Sequence, residues 1–338
     1  MMQAWAWQHF SSDEGLQLRQ RPMPQAGPGE VLLRVHANSL NRRDLMAVRG
    51  LLPRPPAASI VPLCDGAGEI AALGPGVTTF APGERVLAIF NPRWQTGPLR
   101  PEYGGATRGS DVDGLLCEYA VLPAQGVLRY PAYLSAAEAA TLPCAAVTAW
   151  LALFAKSQLQ AGETVLVLGS GAVALFTLQL ARAAGARVIM SSSSAQRAER
   201  LRALGAEKVF DHRRNDWPAQ LQQHCGGADV IVETGGGGSY PQSLQAAAFN
   251  ARIALVGLIS GVHDAGGTLA SILFRNLTVR AVQVGSRQDT EAMLRFIESV
   301  QLRPIIDSRH SFQAPLAAYQ RLESGEAFGK VVIESCGS

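Results

Sequence analysis

The chain has 338 residues, of which 47% are hydrophobic and 17% charged. That is ample apolar material for buried cores in about two domains, and it excludes intrinsic disorder as the main state. The formal net charge is only +3, aromatic residues make up 7%, and no Lys/Arg run exceeds two residues, so neither a basic groove nor a base-stacking surface is expected and nucleic acid is excluded as a partner. The five cysteines, at 64, 117, 144, 225 and 336, include no CxxC pair. An odd, scattered set predicts a reducing compartment, and hence a cytoplasmic protein. No apolar run reaches the ~18–20 residues of a membrane span, and the N-terminal residues lack the pattern of a signal peptide, so no membrane partner is expected.

Residues up to about 124 read as short strands between Gly/Pro turns. The apolar runs 30–36, 68–73, 85–90 and 115–122 are separated by Gly27-Pro28-Gly29, Gly74-Pro75-Gly76 and Pro82-Gly83, the texture of a β-rich, barrel-like unit. Residues 91–114 show no periodicity, and a loop of that length in a compact domain usually serves function. From Ser135, which forms a capping box with Glu138, helices are expected at 135 onward and at 145–155. Strands and helices then alternate: strand 164–168, helix 169–184, strand 187–190, helix 195–204, strand 208–210, helix 217–225, strand 229–233, helix 240–249 and strand 252–257. This alternation predicts βαβ units and a doubly wound parallel sheet. A helix at 290–299 and a strand at 330–333 close the chain.

The sharpest motif is Gly169-Ser170-Gly171-Ala172-Val173-Ala174, between a predicted strand and a predicted helix. It has the G-x-G-x-x-[G/A] form. The first glycine permits the tight turn, the second lets backbone approach a pyrophosphate, and the small sixth residue lets helix pack on strand. The helix N-terminus then offers unpaired N–H groups to phosphate. An NAD site places Asp or Glu at the end of the second strand to hold the ribose 2′-hydroxyl. Here that strand runs into Ser191, Ser192, Ser193 and Ser194, with Arg197 following. Hydroxyls and a guanidinium suit a 2′-phosphate instead, so the expected cofactor is NADP(H). The bland alternative for Arg197 is a solvated charge on a helix face.

With those motifs in place, the whole chain resembles the medium-chain dehydrogenase/reductase superfamily. The resemblance rests on Gly27-Pro28-Gly29-Glu30-Val31, Asn41-Arg42-Arg43-Asp44-Leu45, Asp65-Gly66-Ala67-Gly68, Pro82-Gly83-Glu84-Arg85-Val86, Leu142-Pro143-Cys144-Ala145, Thr148-Ala149-Trp150, the glycine turn, Ala203-Leu204-Gly205-Ala206 and Phe328-Gly329-Lys330-Val331-Val332. It implies an α/β protein in which a Rossmann domain is inserted into a GroES-like catalytic domain, expected as 1–124, 125–285 and 286–338. It also implies a cofactor cleft between the domains and a homodimer through the Rossmann domain.

The zinc-dependent members use a Cys, a His from Gly-His-Glu, and a later Cys or Glu. This chain has Asn41, then Cys64-Asp65, with only Cys144 matching, and no cysteines in 91–116 for a structural zinc lobe. Catalytic zinc needs three protein ligands and an open position, so no metal is expected. Cys64 reads as an apolar filler and Cys144 as a small packing residue. Without zinc, the chain resembles the quinone oxidoreductase (zeta-crystallin-like) branch, which shares the Asn. The expected activity is NADP(H)-dependent hydride transfer to a quinone, enone or related carbonyl compound. An alcohol dehydrogenase is the alternative, and a cofactor-binding dimer with lost catalysis is the reading from another class.

Asn41 is the candidate donor to a developing oxyanion, or else a structural amide. Arg43 and Asp44 are expected to pair locally. By resemblance, the cofactor would be held by Thr148, Gly169, Ser170, Gly171, Ala172, Val173, Ser191, Ser192, Arg197, His212, Gly257, Leu258, Val284 and Ser286. Lys330 is expected near the cofactor phosphates, or else as a surface charge. Thr234-Gly235-Gly236 would close a turn on the adenine side. Trp94 and Tyr103 would cap a flat substrate or pack their own loop.

Overall fold

The computed structural model describes residues 1–8, 15–52, 59–263 and 268–335. The first strands are β1 (Met2–Trp7), β2 (Leu16–Arg21), β3 (Glu30–Ser39), β4 (Asp65–Leu73), β5 (Arg85–Ala88), β6 (Tyr119–Pro123) and β7 (Val127–Arg129). Then come β8 (Thr164–Val167), β9 (Arg187–Ser191), β10 (Lys208–Phe210), β11 (Ala228–Glu233), β12 (Ala247–Leu255) and β13 (Thr278–Ala281). The last two are β14 (Ile306–Ser311) and β15 (Lys330–Glu334).

The chain packs as two units, Met1–Val147 with Gly285–Ser338, and Thr148–Val284. The first boundary therefore lies 23 residues beyond the expected 124/125. The reason is local: β7 pairs with β5 and the short helix Ala136–Ala139 packs on β3 and β4, which ties 125–147 to the first unit. The return crossing, at 284/285, lies one residue before the expected 285/286.

In the first unit the sheet order is β14-β15-β3-β4-β5-β7, with β6 also on β3. All pairs are antiparallel except β14 with β15. Leu33, Val35, Ile70, Val86, Leu122, Val331 and Ile333 interlock beneath it. Gly68 is required by this sheet, because a Cβ there would stand 1.9 Å from the Arg34 carbonyl oxygen of β3. Two registers matter for chemistry: Ser39 at the end of β3 faces Asp65 at the start of β4, and Val332 of β15 faces Ser39 from the other side. Residues just past β3, opening β4 and opening β15 thereby converge. The 91–114 loop is not formless: it contains a 3-10 turn at Pro101–Tyr103, and the Asn91 amide donates to the Tyr103 carbonyl at 2.9 Å.

The second unit is a six-stranded parallel sheet ordered β10-β9-β8-β11-β12-β13. That is the 3-2-1-4-5-6 order of a Rossmann fold, whose ligand crevice lies outside the carboxyl ends of the two strands where the order reverses, here β8 and β11. β8 is buried at every position, as a strand covered on both faces must be. Leu166, Ile189, Ile231 and Ile253 pack with Phe210 and Trp217.

Residues 136–156 run as successive α- and π-helical turns, including π-turns at Leu142–Ala146 and Leu151–Lys156. This segment is long and apolar enough to cross a membrane by length and composition, against the sequence expectation. Most of it is buried inside the protein, which is how a core helix earns the same composition. Helix 240–249 was expected one turn too long: it ends at Ala246, and 247–255 forms β12.

Candidate active site

In the first unit, Asn41 follows β3 and opens the helix Arg42–Val48. Its backbone N–H donates to Asp44 Oδ2 at 2.8 Å. The side-chain amide is held at both ends. Lys330 Nζ donates to Asn41 Oδ1 at 2.7 Å, and Asn41 Nδ2 donates to Asp65 Oδ2 at 2.8 Å. Only one amide orientation satisfies an ammonium on one side and a carboxylate on the other. The second Nδ2 hydrogen has only a loose contact, to Cys64 Sγ at 3.7 Å.

Lys330 is 1% exposed. Besides Asn41, its ammonium donates to the Leu40 carbonyl at 2.9 Å and pairs with Asp65 Oδ2 at 3.4 Å. Both sequence readings of Lys330 are corrected by this. It is not a surface charge, and an ammonium with three buried oxygen partners is not turned toward a phosphate. Asp65, fully buried, also accepts from the Ser39 hydroxyl at 3.3 Å and from the Cys64 thiol at 3.3 Å. Burial pushes the Cys64 thiol well up, and its hydrogen bond with Cys144 and the neighbouring Asp65 push the same way. Cys64 is therefore a protonated donor within a polar cluster rather than an apolar filler.

Arg43 and Asp44 pair at 3.3 Å, as expected. Burial lifts the Asp44 carboxyl to about 6 against the opposing pull of Arg43. The Arg43 guanidinium also reaches Ser110 Oγ at 2.8 Å and the Arg108 carbonyl at 3.3 Å, and lies over the Phe90 ring. It thus anchors the 91–114 loop. Trp94 is buried, donates from Nε1 to the Gly97 carbonyl and stacks on Tyr103. Both aromatics pack their own loop.

In the second unit, Gly169 has φ +80°, a left-handed conformation that admits glycine without strain. Its N–H points to the Ser191 carbonyl and hydroxyl, at 3.1 and 3.2 Å. The helix Ala172–Ala183 starts at Gly171 with no side-chain cap, leaving its first N–H groups for another acceptor. A Cβ on Gly171 would meet open space, so this backbone can be approached closely. Ser170 is buried, while Ala172 and Val173 are half-buried.

Ser191 is fully buried beneath the glycine turn, with its hydroxyl 3.4 Å from His212 Nδ1. Ser192 is buried and accepts from the Ser194 N–H. Ser194 caps the helix Ala195–Ala203, which sets half-buried Arg197 in its first turn. No carboxylate stands at the end of β9 or in the serine run.

Opposite β8, the buried Glu233 ending β11 accepts from the N–H groups of Gly235 and Gly236, at 2.6 and 3.0 Å, and from the hydroxyls of Ser239 and Ser243. Sequence reading missed this residue, which looks like any strand-end charge until four donors converge on it. It fixes the Thr234–Gly236 turn. Gly257 packs against that turn so closely that a Cβ would lie 2.4 Å from the Thr234 carbonyl oxygen; Leu258 beside it is exposed. Thr148, at the start of this unit, is buried. Val284, its last residue, has φ +48°, a strained conformation for a β-branched side chain. Ser286, across the boundary, is committed to capping the helix Arg287–Ser299: its hydroxyl donates to Asp289 Oδ2 at 2.6 Å and accepts from the Asp289 N–H.

Comparison with known proteins fits this pair of units. Residues 27–132 match the alcohol dehydrogenase GroES-like domain family, and 172–299 the zinc-binding dehydrogenase family. A zinc-type alcohol dehydrogenase-like protein of Schizosaccharomyces pombe is 36% identical, covering 96% of each chain. The chain belongs to the medium-chain dehydrogenase/reductase superfamily. It is an alcohol dehydrogenase-like oxidoreductase in a family that works with nicotinamide dinucleotides. Among solved structures, a candidate alcohol dehydrogenase of Sinorhizobium meliloti 1021 superposes with TM-score 0.92 at 39% identity over 98% of each chain. A chloroplast envelope quinone oxidoreductase homolog of Arabidopsis thaliana is 26% identical over 95% of this chain and 94% of its own.

The family's zinc does not fit the residues present. A metal bound by Cys64, Asp65 and Cys144 would have to displace the Lys330 ammonium, which is paired with Asp65 in full burial. Among the described residues, no three His, Cys, Asp or Glu side chains are grouped to hold a metal. The dinucleotide does fit, since the glycine turn and uncapped helix offer pyrophosphate donors at the reversal point of the sheet.

Proposed function

We propose that this protein is a zinc-independent, NADP(H)-dependent reductase of quinones, enones or related electron-poor carbonyl compounds. The observation that carries the reading is the Lys330–Asn41–Asp65 cluster, where an amide stands at the first of the zinc-ligand positions and the Lys330 ammonium is bonded to it and to the Asp65 carboxylate of the second. When bound, the reduced nicotinamide supplies the hydride. An electron-poor acceptor then needs only a hydrogen-bond donor at its oxygen. Asn41 is suited to that task. The ammonium on its Oδ1 polarises the amide, and its second Nδ2 hydrogen has only a distant sulfur to give up when a charged oxygen arrives.

The serine run and Arg197 support NADP(H) over NAD(H). Ser191 and Ser192 set the end of β9, and the Arg197 guanidinium matches phosphate geometry. Thr148, the Gly169–Val173 turn, His212, Gly257, Leu258, Val284 and Ser286 are the further cofactor positions of this reading. Tryptophan fluorescence titration of NADPH and NADH on the wild type and Arg197→Ala tests it. Losing one charge-assisted phosphate contact should cost ~1.5–3 kcal/mol, roughly 10- to 150-fold in NADPH affinity, with NADH unaffected. Equal affinity for both cofactors in the wild type would discard the NADP(H) assignment.

The acting form in this reading is a homodimer in the cytoplasm. β13 is an edge strand of the second unit's sheet, and Phe249, Leu269, Leu273 and Phe274 of that unit are each more than 70% exposed. An open edge beside exposed apolar side chains invites a second copy. Light scattering that returned a monomer at micromolar concentration would refute it.

A further inference from the structure

Glu233 is fully buried and, among the described residues, its side chain pairs with no cation. Burying a carboxylate that way is unfavourable unless its oxygens find donors. Here the donors close the chain back on itself. Oε1 takes the N–H groups of Gly235 and Gly236 and the Ser239 hydroxyl, and Oε2 takes the Ser243 hydroxyl. The turn held in this way is tied in turn to its neighbours. The Thr234 hydroxyl donates to the Leu168 carbonyl at 3.1 Å, directly before the glycine turn. The Gly235 carbonyl accepts from the N–H and the hydroxyl of Ser260, at 2.6 and 2.9 Å, and the Gly237 N–H donates to the Gly261 carbonyl at 2.9 Å. Gly236, at φ +90°, runs so close to the last of these loops that a Cβ would stand 2.7 Å from the Leu258 Cα. One side chain therefore sets the relation of three loops, 168–171, 234–239 and 256–261, which leave the carboxyl ends of β8, β11 and β12.

A Rossmann sheet is built from two mononucleotide-binding halves that meet where the strand order reverses, here β8–β10 and β11–β13. The glycine turn and the serine run belong to the first half, which takes the pyrophosphate and the adenosine ribose. We propose that Glu233 is the positioning residue of the second half. Its carboxylate holds the 234–239 turn and, through that turn, the 256–261 loop in the shape that receives the nicotinamide mononucleotide. The turn then serves the nicotinamide half rather than the adenine side. The inference rests on the dinucleotide reading above, but not on the choice of NADP(H) over NAD(H). A crevice set beforehand loses no ordering entropy when the cofactor enters. Without the carboxylate, two N–H groups and two hydroxyls turn to other acceptors. The competent shape is then a fraction of the population, and the apparent affinity falls by that fraction.

The test is calorimetric titration of the full chain with whole dinucleotides and with their adenosine fragments: NADPH beside adenosine 2′,5′-bisphosphate, and NADH beside adenosine diphosphate. Glu233→Ala should weaken the dinucleotide that the wild type prefers about tenfold or more, and leave its fragment within about twofold. Glu233→Gln keeps an oxygen for three of the four donors and should recover most of that loss. Hydrogen exchange of the unliganded Glu233→Ala chain should rise over 234–239 and 256–261 and stay unchanged over β9. Should Glu233→Ala fail to fold, Ser239→Ala removes one donor and leaves the carboxylate three, and the same split is expected at about three- to tenfold. Dinucleotide affinity unchanged in the variant that folds would overturn the proposal, and so would dinucleotide and fragment weakened alike, the mark of general damage. A wild type that takes up no dinucleotide would overturn the dinucleotide reading and this inference together, whereas equal losses in the variant overturn this inference alone.

Discussion

Replacing Lys330 by Met keeps an unbranched stem of similar volume and deletes only the ammonium. Three buried acceptors then lose the ammonium: the Leu40 carbonyl, Asn41 Oδ1 and Asp65 Oδ2, of which Asp65 Oδ2 keeps Asn41 and Ser39 as donors but no cation. Removing one partner of a buried ion pair costs about 3–5 kcal/mol, because the remaining charge is left uncompensated. For a unit of 150–250 residues that is roughly 2–4 °C per kcal/mol, or ~6–20 °C in Tm. Urea unfolding and thermal circular dichroism of Lys330→Met measure this directly. Arg309→Gln serves as the contrast, since its pair with Glu334 is half-exposed and should be worth under about 1 kcal/mol. The double variant Lys330→Met/Asp65→Asn should cost less than the sum of its single changes, by about 1–3 kcal/mol of coupling. A loss below about 1 kcal/mol for Lys330→Met, with additive singles, would refute a buried ammonium at the centre of the cluster.

The Asp44 carboxyl gives a pH signature. Folded Asp44 holds its proton more tightly than the unfolded chain does, with a pKa of about 6 against 3.8. Its contribution is thus fully present below about pH 4 and is lost as pH rises toward 6, by up to roughly 3 kcal/mol. Urea midpoints across that window should fall for the wild type relative to Asp44→Asn, and parallel curves would contradict the assignment. For the reaction itself, Asn41→Ala should lower kcat about 100-fold with KM nearly constant, the usual effect of losing an oxyanion donor. An unchanged kcat in steady-state assays with a quinone acceptor would move the donor elsewhere.

The Rossmann unit was legible in the sequence because its signals are local. β8 is a continuous β-branched run, the glycine turn follows it directly, and strands alternate with helices of regular length. The elements that escaped are those with weak periodicity or polar edges. β2 reads Leu-Gln-Leu-Arg-Gln-Arg, and β13 is a short, exposed edge strand. The polar cluster was half legible. Asn41, Cys64 and Asp65 stood out as departures from a zinc set. The place of Lys330 was hidden, since its partners lie 265–290 residues away in the chain and only the convergence of β3, β4 and β15 joins them. Glu233 was hidden for a different reason: two of its donors come from the Gly235–Gly236 turn and two from Ser239 and Ser243, at the start of and within the following helix, a convergence no pattern announces.

The most direct test of a metal-free reductase is the zinc content, by plasma mass spectrometry, of purified protein that oxidises NADPH with a quinone or enone acceptor. The cluster predicts far less than one zinc per active chain, with turnover unchanged by a chelator. One zinc per chain, removed by the chelator together with the activity, would contradict it.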